Sequence, residues 1–358
     1  MSIRWSLVCA LASNARSSHC AAVTHSGRLL LYSGELRPRI PVDGALHSLD
    51  LESHTPSRAL NPSPALAHAP EPRVGATAVY DAHTNSLYVW GGRGGVDMAP
   101  LDRFQAGVWK APLDGLDAAD TVPWERLPAV NDDSDAAPAL RSFHASVLAG
   151  VCISYRSSSG AHVRSQGRLY IHAGCPASGR LADLHAYDLA THTWHKLADA
   201  PAEPRGGTAI AAVSLPSASE LVLVRFGGRS SIPPSSAMLT KRQLGFAGVQ
   251  LPKITQGSPP PLDIYTPSTN TWSTVYPAPD PEQGFPGPRS VLGLVPFTTG
   301  ARTNTSEPIP VALLYHGEKD ASSLGHAGAG AFWDDAWLLL ATSSPSTLQW
   351  KKLHVDGT

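Results

Sequence analysis

Five strand-like runs in this chain each end in a doublet closed by Gly and followed by a distinctive side chain. They are LLLYSGE (Leu29–Glu35), LYVWGGR (Leu87–Arg93), LYIHAGC (Leu169–Cys175), LVLVRFGGR (Leu221–Arg229) and VALLYHGE (Val311–Glu318). Recurrence on this scale is the mark of a repeat architecture, in which each unit buries its faces only against its neighbours. It also gives Glu35, Arg93, Cys175, Arg229 and Glu318 equivalent places, so residues far apart in sequence can share one site.

The surroundings of the doublets repeat as well. Upstream of each, an Arg opens a first apolar run: Arg16, Arg73, Arg141, Arg205 and Arg289. Downstream come a third run (ALHSLDL, GVWKAPL, LHAYDLA, LDIYTPS, DAWLLLA) and a fourth that carries Trp124, Trp194, Trp272 or Trp350. In the first repeat the fourth run is degenerate, TPSRAL. Alternation and β-branched or aromatic content predict strands. No segment has the period and caps of an amphipathic helix.

Four strands per unit, a Gly doublet ending the second and a Trp in the fourth resemble kelch repeats, the blades of a β-propeller. The resemblance implies an all-β kelch-type propeller forming a single domain over residues 1–358. Five four-stranded blades are recognisable, at about 16–60, 73–128, 141–199, 205–277 and 289–355. The Gly doublet would let the second strand end in a close-packed turn where a Cβ would clash. The Trp of the fourth run reads as a filler between blades.

The N-terminal segment, residues 1–12, has two readings. MSIRWSLVCALASNA has the basic residue, apolar stretch and small-residue end of a weak signal peptide. It also has Trp5 eleven residues before Arg16, the spacing of Trp194 to Arg205, which favours an extra fourth-type strand. Because the fifth repeat already owns Trp350, that strand is either a spare on a five-bladed ring or the remnant of a truncated six-bladed one.

Charge and cysteines limit the partners. Lys and Arg number 28 against 29 Asp and Glu, with no basic cluster, which argues against nucleic acid or an anionic membrane. Cys9, Cys20, Cys152 and Cys175 lack CxxC spacing and read as reduced thiols of a cytoplasmic protein. No apolar run reaches transmembrane length.

Three long connections interrupt the repeats. Ser230–Pro260, rich in Ser and Pro, joins the second and third strands of the fourth repeat. An insertion of that length is either a lid over the channel mouth or a surface loop. Ser154–Gly167 and Thr298–Pro308 join first to second strands and read as inert.

The residues after the doublets are the candidate site. Glu35, Arg93, Arg229 and Glu318, with Cys175, would meet at the channel mouth. There they would either pair among themselves and tie blades together or bind a polar or anionic ligand. In the second reading Arg93 and Arg229 act as forked donors, joined by the repeat-opening Arg205.

The segment GEKDASSLGHAGAG, Gly317–Gly330, is similar to one carried by the specifier proteins, as are SGELRPRIPVDGALHSLDLES (Ser33–Ser53), RSFH at Arg141 and PRGG around Arg205. Those kelch proteins steer breakdown of glucosinolate aglycones with ferrous iron. Their iron motif is E-x3-D-x3-H. Glu318 and His326 match its ends, so the resemblance implies these two as metal ligands and Fe2+ as a cofactor. The middle position is Ser322, which removes a carboxylate from a set that ferrous iron prefers anionic.

No GxSxG, P-loop or dinucleotide fingerprint occurs in a suitable context. The sequence therefore leads to a kelch-repeat binding protein that holds a partner protein or small polar ligand at the channel mouth. The alternative is a specifier-like lyase using ferrous iron at Glu318 and His326, and a cofactor-free pocket enzyme is a third reading.

Overall fold

The computed structural model describes residues 2–5, 15–53, 58–95, 97–116, 118–150, 167–201, 203–216, 218, 220–231, 249–250, 259–297, 307–320, 330–343 and 346–357. Of the three long connections, 151–166, 232–248, 251–258 and 298–306 lie outside that set. The described residues are almost entirely strand and turn, with one helical turn at Arg103–Ala106.

In chain order the strands fall into five antiparallel sets of four, the third and fourth sets running on in one nine-stranded sheet through Leu181 and Arg205. The first contains Cys20–Val23, Arg28–Tyr32, Leu46–Asp50 and Arg58–Pro62. The second contains Thr77–Asp81, Ser86–Trp90, Trp109–Pro112 and Glu125–Arg126, and the third Ala145–Ala149, Arg168–Gly174, Leu181–Asp188 and Thr193–Leu197. The fourth contains Arg205–Ser214, Leu221–Ser231, Leu262–Thr266 and Thr271–Val275, and the fifth Gly293–Pro296, Ile309–Tyr315, Ala336–Ser343 and Ser346–Lys352.

The second strands are apolar at successive positions because both faces of each sheet are covered; all of Ser86–Trp90 is buried. Thr271–Val275 is an edge strand with three of its five residues exposed, whereas Arg58–Pro62 is covered by parallel pairing with Thr121–Val122.

Consecutive units are joined by apolar clusters. Tyr32, Leu46, Val89 and Trp124 fill the first-to-second interface, and Trp90, Ile171 and Trp194 the second-to-third. Tyr170, Leu184 and Leu223, with Trp272 against them, fill the third-to-fourth. Phe226, Leu314, Trp337 and Trp350 fill the fourth-to-fifth. Each repeat Trp thus packs between its own unit and the preceding one. Ser2–Trp5 runs parallel to His354–Gly357 beside the fifth unit, with Trp5 stacked on His316 at 5.0 Å.

The doublets are the hinge of every unit. Both members have positive φ in all five repeats: 57° and 98° at Ser33–Gly34, 70° and 102° at Gly91–Gly92, 57° and 104° at Ala173–Gly174, 73° and 91° at Gly227–Gly228, 51° and 108° at His316–Gly317. The second member must be Gly for a further reason. A Cβ on Gly174 would stand 2.9 Å from the Ser142 carbonyl oxygen and 2.9 Å from the His144 Cα. Gly174→Ala should therefore cost about 3 kcal/mol, combining left-handed strain with a backbone collision. Gly95 has φ of 70° but open space around its missing Cβ, so Gly95→Ala should cost only about 1 kcal/mol. Urea unfolding of the two variants checks this; equal costs would show that packing against the first strand is not what fixes the doublet.

Candidate functional site

The repeat-opening arginines support the doublets from below. Each sends Nη1 to the carbonyl of the first doublet residue in its own unit. Arg16 reaches Ser33 at 3.1 Å, Arg73 reaches Gly91 at 3.1 Å and Arg141 reaches Ala173 at 3.0 Å. Arg205 reaches Gly227 at 3.1 Å and Arg289 reaches His316 at 2.9 Å. A left-handed doublet turns these carbonyls away from any strand partner, and the guanidinium satisfies them. Arg141 and Arg289 also form forked pairs with Asp183 and Asp335. Arg205 belongs to this set and is 7% exposed. The structure therefore separates it from the residues after the doublets, with which the sequence had grouped it as a ligand donor.

The residues that follow the doublets do form a connected series. Each is bridged to the residue after an opening Arg: Glu35 to Ser17, Arg93 to Val74, Cys175 to Ser142, Arg229 to Gly206 and Glu318 to Ser290. Two of them clasp the next unit in the same way. Arg93 Nε donates to Ser142 Oγ at 2.7 Å, and Arg229 Nε donates to Ser290 Oγ at 2.8 Å. A second series of bonds runs alongside: Gly75 N–H to the Ser18 carbonyl, Phe143 to Gly75, Gly207 to Phe143 and Val291 to Gly207, at 2.7–2.9 Å.

The two halves of the series differ in charge. Arg229 Nη2 lies 3.0 Å from Glu318 Oε2, so that end is neutralised. The same nitrogen makes no well-aligned hydrogen bond, which marks the contact as an ion pair of modest directionality. Arg93 has no carboxylate partner among the described residues. Besides Ser142 it reaches the Cys175 carbonyl at 3.4 Å and lies over the Phe143 ring at 5.7 Å. Its pKa is pushed below the usual arginine value by burial, raised somewhat by Cys175, and lowered again by Arg39 and Arg180.

Arg180 donates from Nη1 to Cys175 Sγ at 2.8 Å. Burial nonetheless holds the Cys175 thiol above its usual pKa, against the pull of Arg180 and Arg93, which favours the protonated thiol. Glu35, the nearby acid, accepts from the backbone N–H of Arg39 at 2.8 Å. Arg39 and Arg180 carry no motif and were missed in the sequence. The Arg93–Ser142 and Arg229–Ser290 clasps had a signal there: an Arg after one doublet matched with a Ser after the next opening Arg.

A family model described as the KLHDC2/KLHL20/DRC7 kelch-repeats domain matches residues 18–291. The chain belongs to the kelch-repeat family. Its all-β units are kelch repeats, and kelch domains characteristically engage other proteins. The matched description does not extend to the specifier proteins. A search of curated proteins returned no match.

Of the three iron-motif positions only Glu318 is among the described residues. Glu318 is committed to Arg229, and position 322 holds Ser, while Ser322 and His326 lie outside the described residues. Asp320 is exposed, with its backbone paired to Ala331. No group of three or more metal-ligating side chains occurs among the described residues of this kelch chain. Nor is any described helix long and apolar enough to cross a membrane.

A cleft of ≈ 740 Å³ lies on the fifth unit between Trp5, His316, Asp280, Asp334 and Lys351, and none of the five residues after the doublets lines it.

Proposed function

We propose that this kelch chain is a binding protein that holds an acidic segment of a partner protein against the rim formed by Glu35, Arg93, Cys175, Arg229 and Glu318. The observation that carries the reading is the asymmetry of that rim. Arg229 and Glu318 cancel each other at 3.0 Å. Arg93, by contrast, sits with Arg39 and Arg180 without a carboxylate of its own. Three cations sharing a half-buried surface repel one another, and an incoming carboxylate relieves the repulsion while filling forked donors. Phe143 beneath Arg93 offers an apolar wall beside the charges, as an interface core requires. A small anionic ligand would use the same donors, but membership of the kelch family favours a polypeptide.

Fluorescence anisotropy with labelled ten-residue peptides tests the reading, comparing Glu-rich, Ser-rich and Lys-rich sequences of equal length. The Glu-rich peptide should bind the full chain, with affinity falling as salt rises. Arg39→Ala combined with Arg180→Ala should weaken it about tenfold, each lost contact being a partly desolvated charge pair. Equal binding of the acidic and neutral peptides would overturn the proposal. So would a double variant with unchanged affinity.

A further inference from the structure

The interface between the third and fourth blades departs from the repeat at two places. Two residues before the doublet, the other repeats carry Leu31, Val89, Ile171 and Leu314; the fourth carries Arg225. Directly before the doublet, four repeats carry Tyr32, Trp90, Phe226 and Tyr315; the third carries His172. Both departures face the same interface. His172 packs on Trp272 of the fourth blade at 5.4 Å, and Arg225 reaches back to the Pro201 carbonyl at 3.1 Å. An aliphatic residue and an aromatic have been exchanged for a guanidinium and an imidazole in one core slot.

The polar groups there are not balanced by protein. Arg225 is 1% exposed, and its Nη1 donates to Asp263 Oδ2 at 3.0 Å. The other Asp263 oxygen accepts from Thr274 at 2.7 Å. Arg205 is the second buried guanidinium, and it opposes the charge of its neighbour: Arg225 is lowered to about 10, by burial first and by Arg205 second. Asp263 is the one buried carboxylate acting on both; Glu203, which also acts on Arg205, is exposed. Asp183, near His172, is already forked with Arg141. Two buried cations thus face one buried anion.

Three donors are left over. Arg225 Nε, Arg225 Nη2 and Arg205 Nε are buried without an acceptor among the described residues. His172 donates from Nδ1 to the Asp183 carbonyl at 2.9 Å, so its neutral ring presents a lone pair at Nε2 and is not a further donor. Buried guanidinium N–H groups without acceptors, beside one uncompensated positive charge, call for an anionic acceptor. We propose that the interface between the third and fourth blades is a binding site for one small inorganic monovalent anion, of the halide or nitrate class, held by Arg225 and Arg205. Bound there, the anion would brace the first two strands of the fourth blade where they face the third, because Arg225 lies on the second strand and Arg205 opens the first.

Thermal unfolding of the full chain at pH 7.5, with chloride, bromide or nitrate replacing gluconate at constant ionic strength, tests the site. Saturating anion should raise Tm by about 4 °C, since a ligand bound only by the folded state stabilises by mass action. Arg225→Leu, which restores the residue type of the other repeats, should abolish the saturable rise. If that variant fails to fold, crystals of the wild-type chain grown in bromide decide the matter. An anomalous peak within hydrogen-bond distance of the Arg225 guanidinium is expected. A Tm indifferent to anion identity, or a bromide map without that peak, would overturn the proposal and leave ordered water as the acceptor.

Discussion

Unfolding free energy should fall by about 4 kcal/mol between pH 7 and pH 5, before most carboxylates titrate. Two histidines cause it. His144 and His172 are 4% and 0% exposed. Burial pushes each pKa down to about 3, reinforced by Arg141 at His144 and by Arg225 at His172. Backbone and carboxylate contributions from Asp183 oppose this without reversing it. In the unfolded chain both titrate near the ordinary value of about 6.5. A folded pKa below the unfolded one means that the native state binds fewer protons. The stabilisation is therefore complete above about pH 6.5 and is lost as pH falls toward the folded value. Two protons give a limiting slope of about 2.7 kcal/mol per pH unit. Set against a total stability of about 5–15 kcal/mol, that is a large fraction. Urea melts at pH 7, 6 and 5 measure it. His172→Phe, which supplies the aromatic of the other repeats, should halve the slope. A wild-type slope no steeper than one proton's worth would refute the account.

Much of the fold was legible because the chain states it five times. The doublets, the opening arginines and the repeat Trp residues fall at matched places, so the strand order could be read before any contact was known. What could not be read was the task of the opening arginines. Their acceptors are main-chain carbonyls of Ser33, Gly91, Ala173, Gly227 and His316. A carbonyl leaves no trace in side-chain identity, so Arg205 looked as available as Arg93. The rim was half legible. Equivalent positions gave Glu35, Arg93, Cys175, Arg229 and Glu318 the same bridge to the residue after an opening Arg, but which charge cancels which depends on side-chain reach. Arg39 sits in a hairpin with φ of 66° and Arg180 beyond the third doublet, places where sequence pattern carries no information. Arg225 and His172 were legible as departures from the repeat, a signal that emerges only when the five units are compared position by position.

The forked pair of Arg289 and Asp335 should prove one of the least replaceable contacts in the chain. Arg289 is 1% exposed and donates to Asp335 through Nη1 at 2.5 Å and Nη2 at 3.0 Å. Its Nε holds the Gly287 carbonyl at 3.0 Å, and Trp337 Nε1 donates to Asp335 at 2.8 Å. Burial alone would raise the Asp335 pKa, yet the bonds and charge of Arg289, with Trp337, hold it below the usual carboxylate range. Asp335→Leu leaves a buried guanidinium without its counter-charge and should cost about 3–5 kcal/mol. The cost comes from the abandoned partner more than from the lost attraction. Adding Arg289→Met to Asp335→Leu should therefore cost little more than Asp335→Leu alone, even though the doublet loses its support at the His316 carbonyl. Asp120, almost fully exposed and 3.3 Å from Arg58, is the contrast. Asp120→Ala should change stability by less than about 0.5 kcal/mol, as screened surface pairs do. Urea unfolding of the four proteins gives the comparison. A cost below about 1 kcal/mol for Asp335→Leu would mean that the pair is solvated in the working protein and that the doublets are held by main-chain bonds instead.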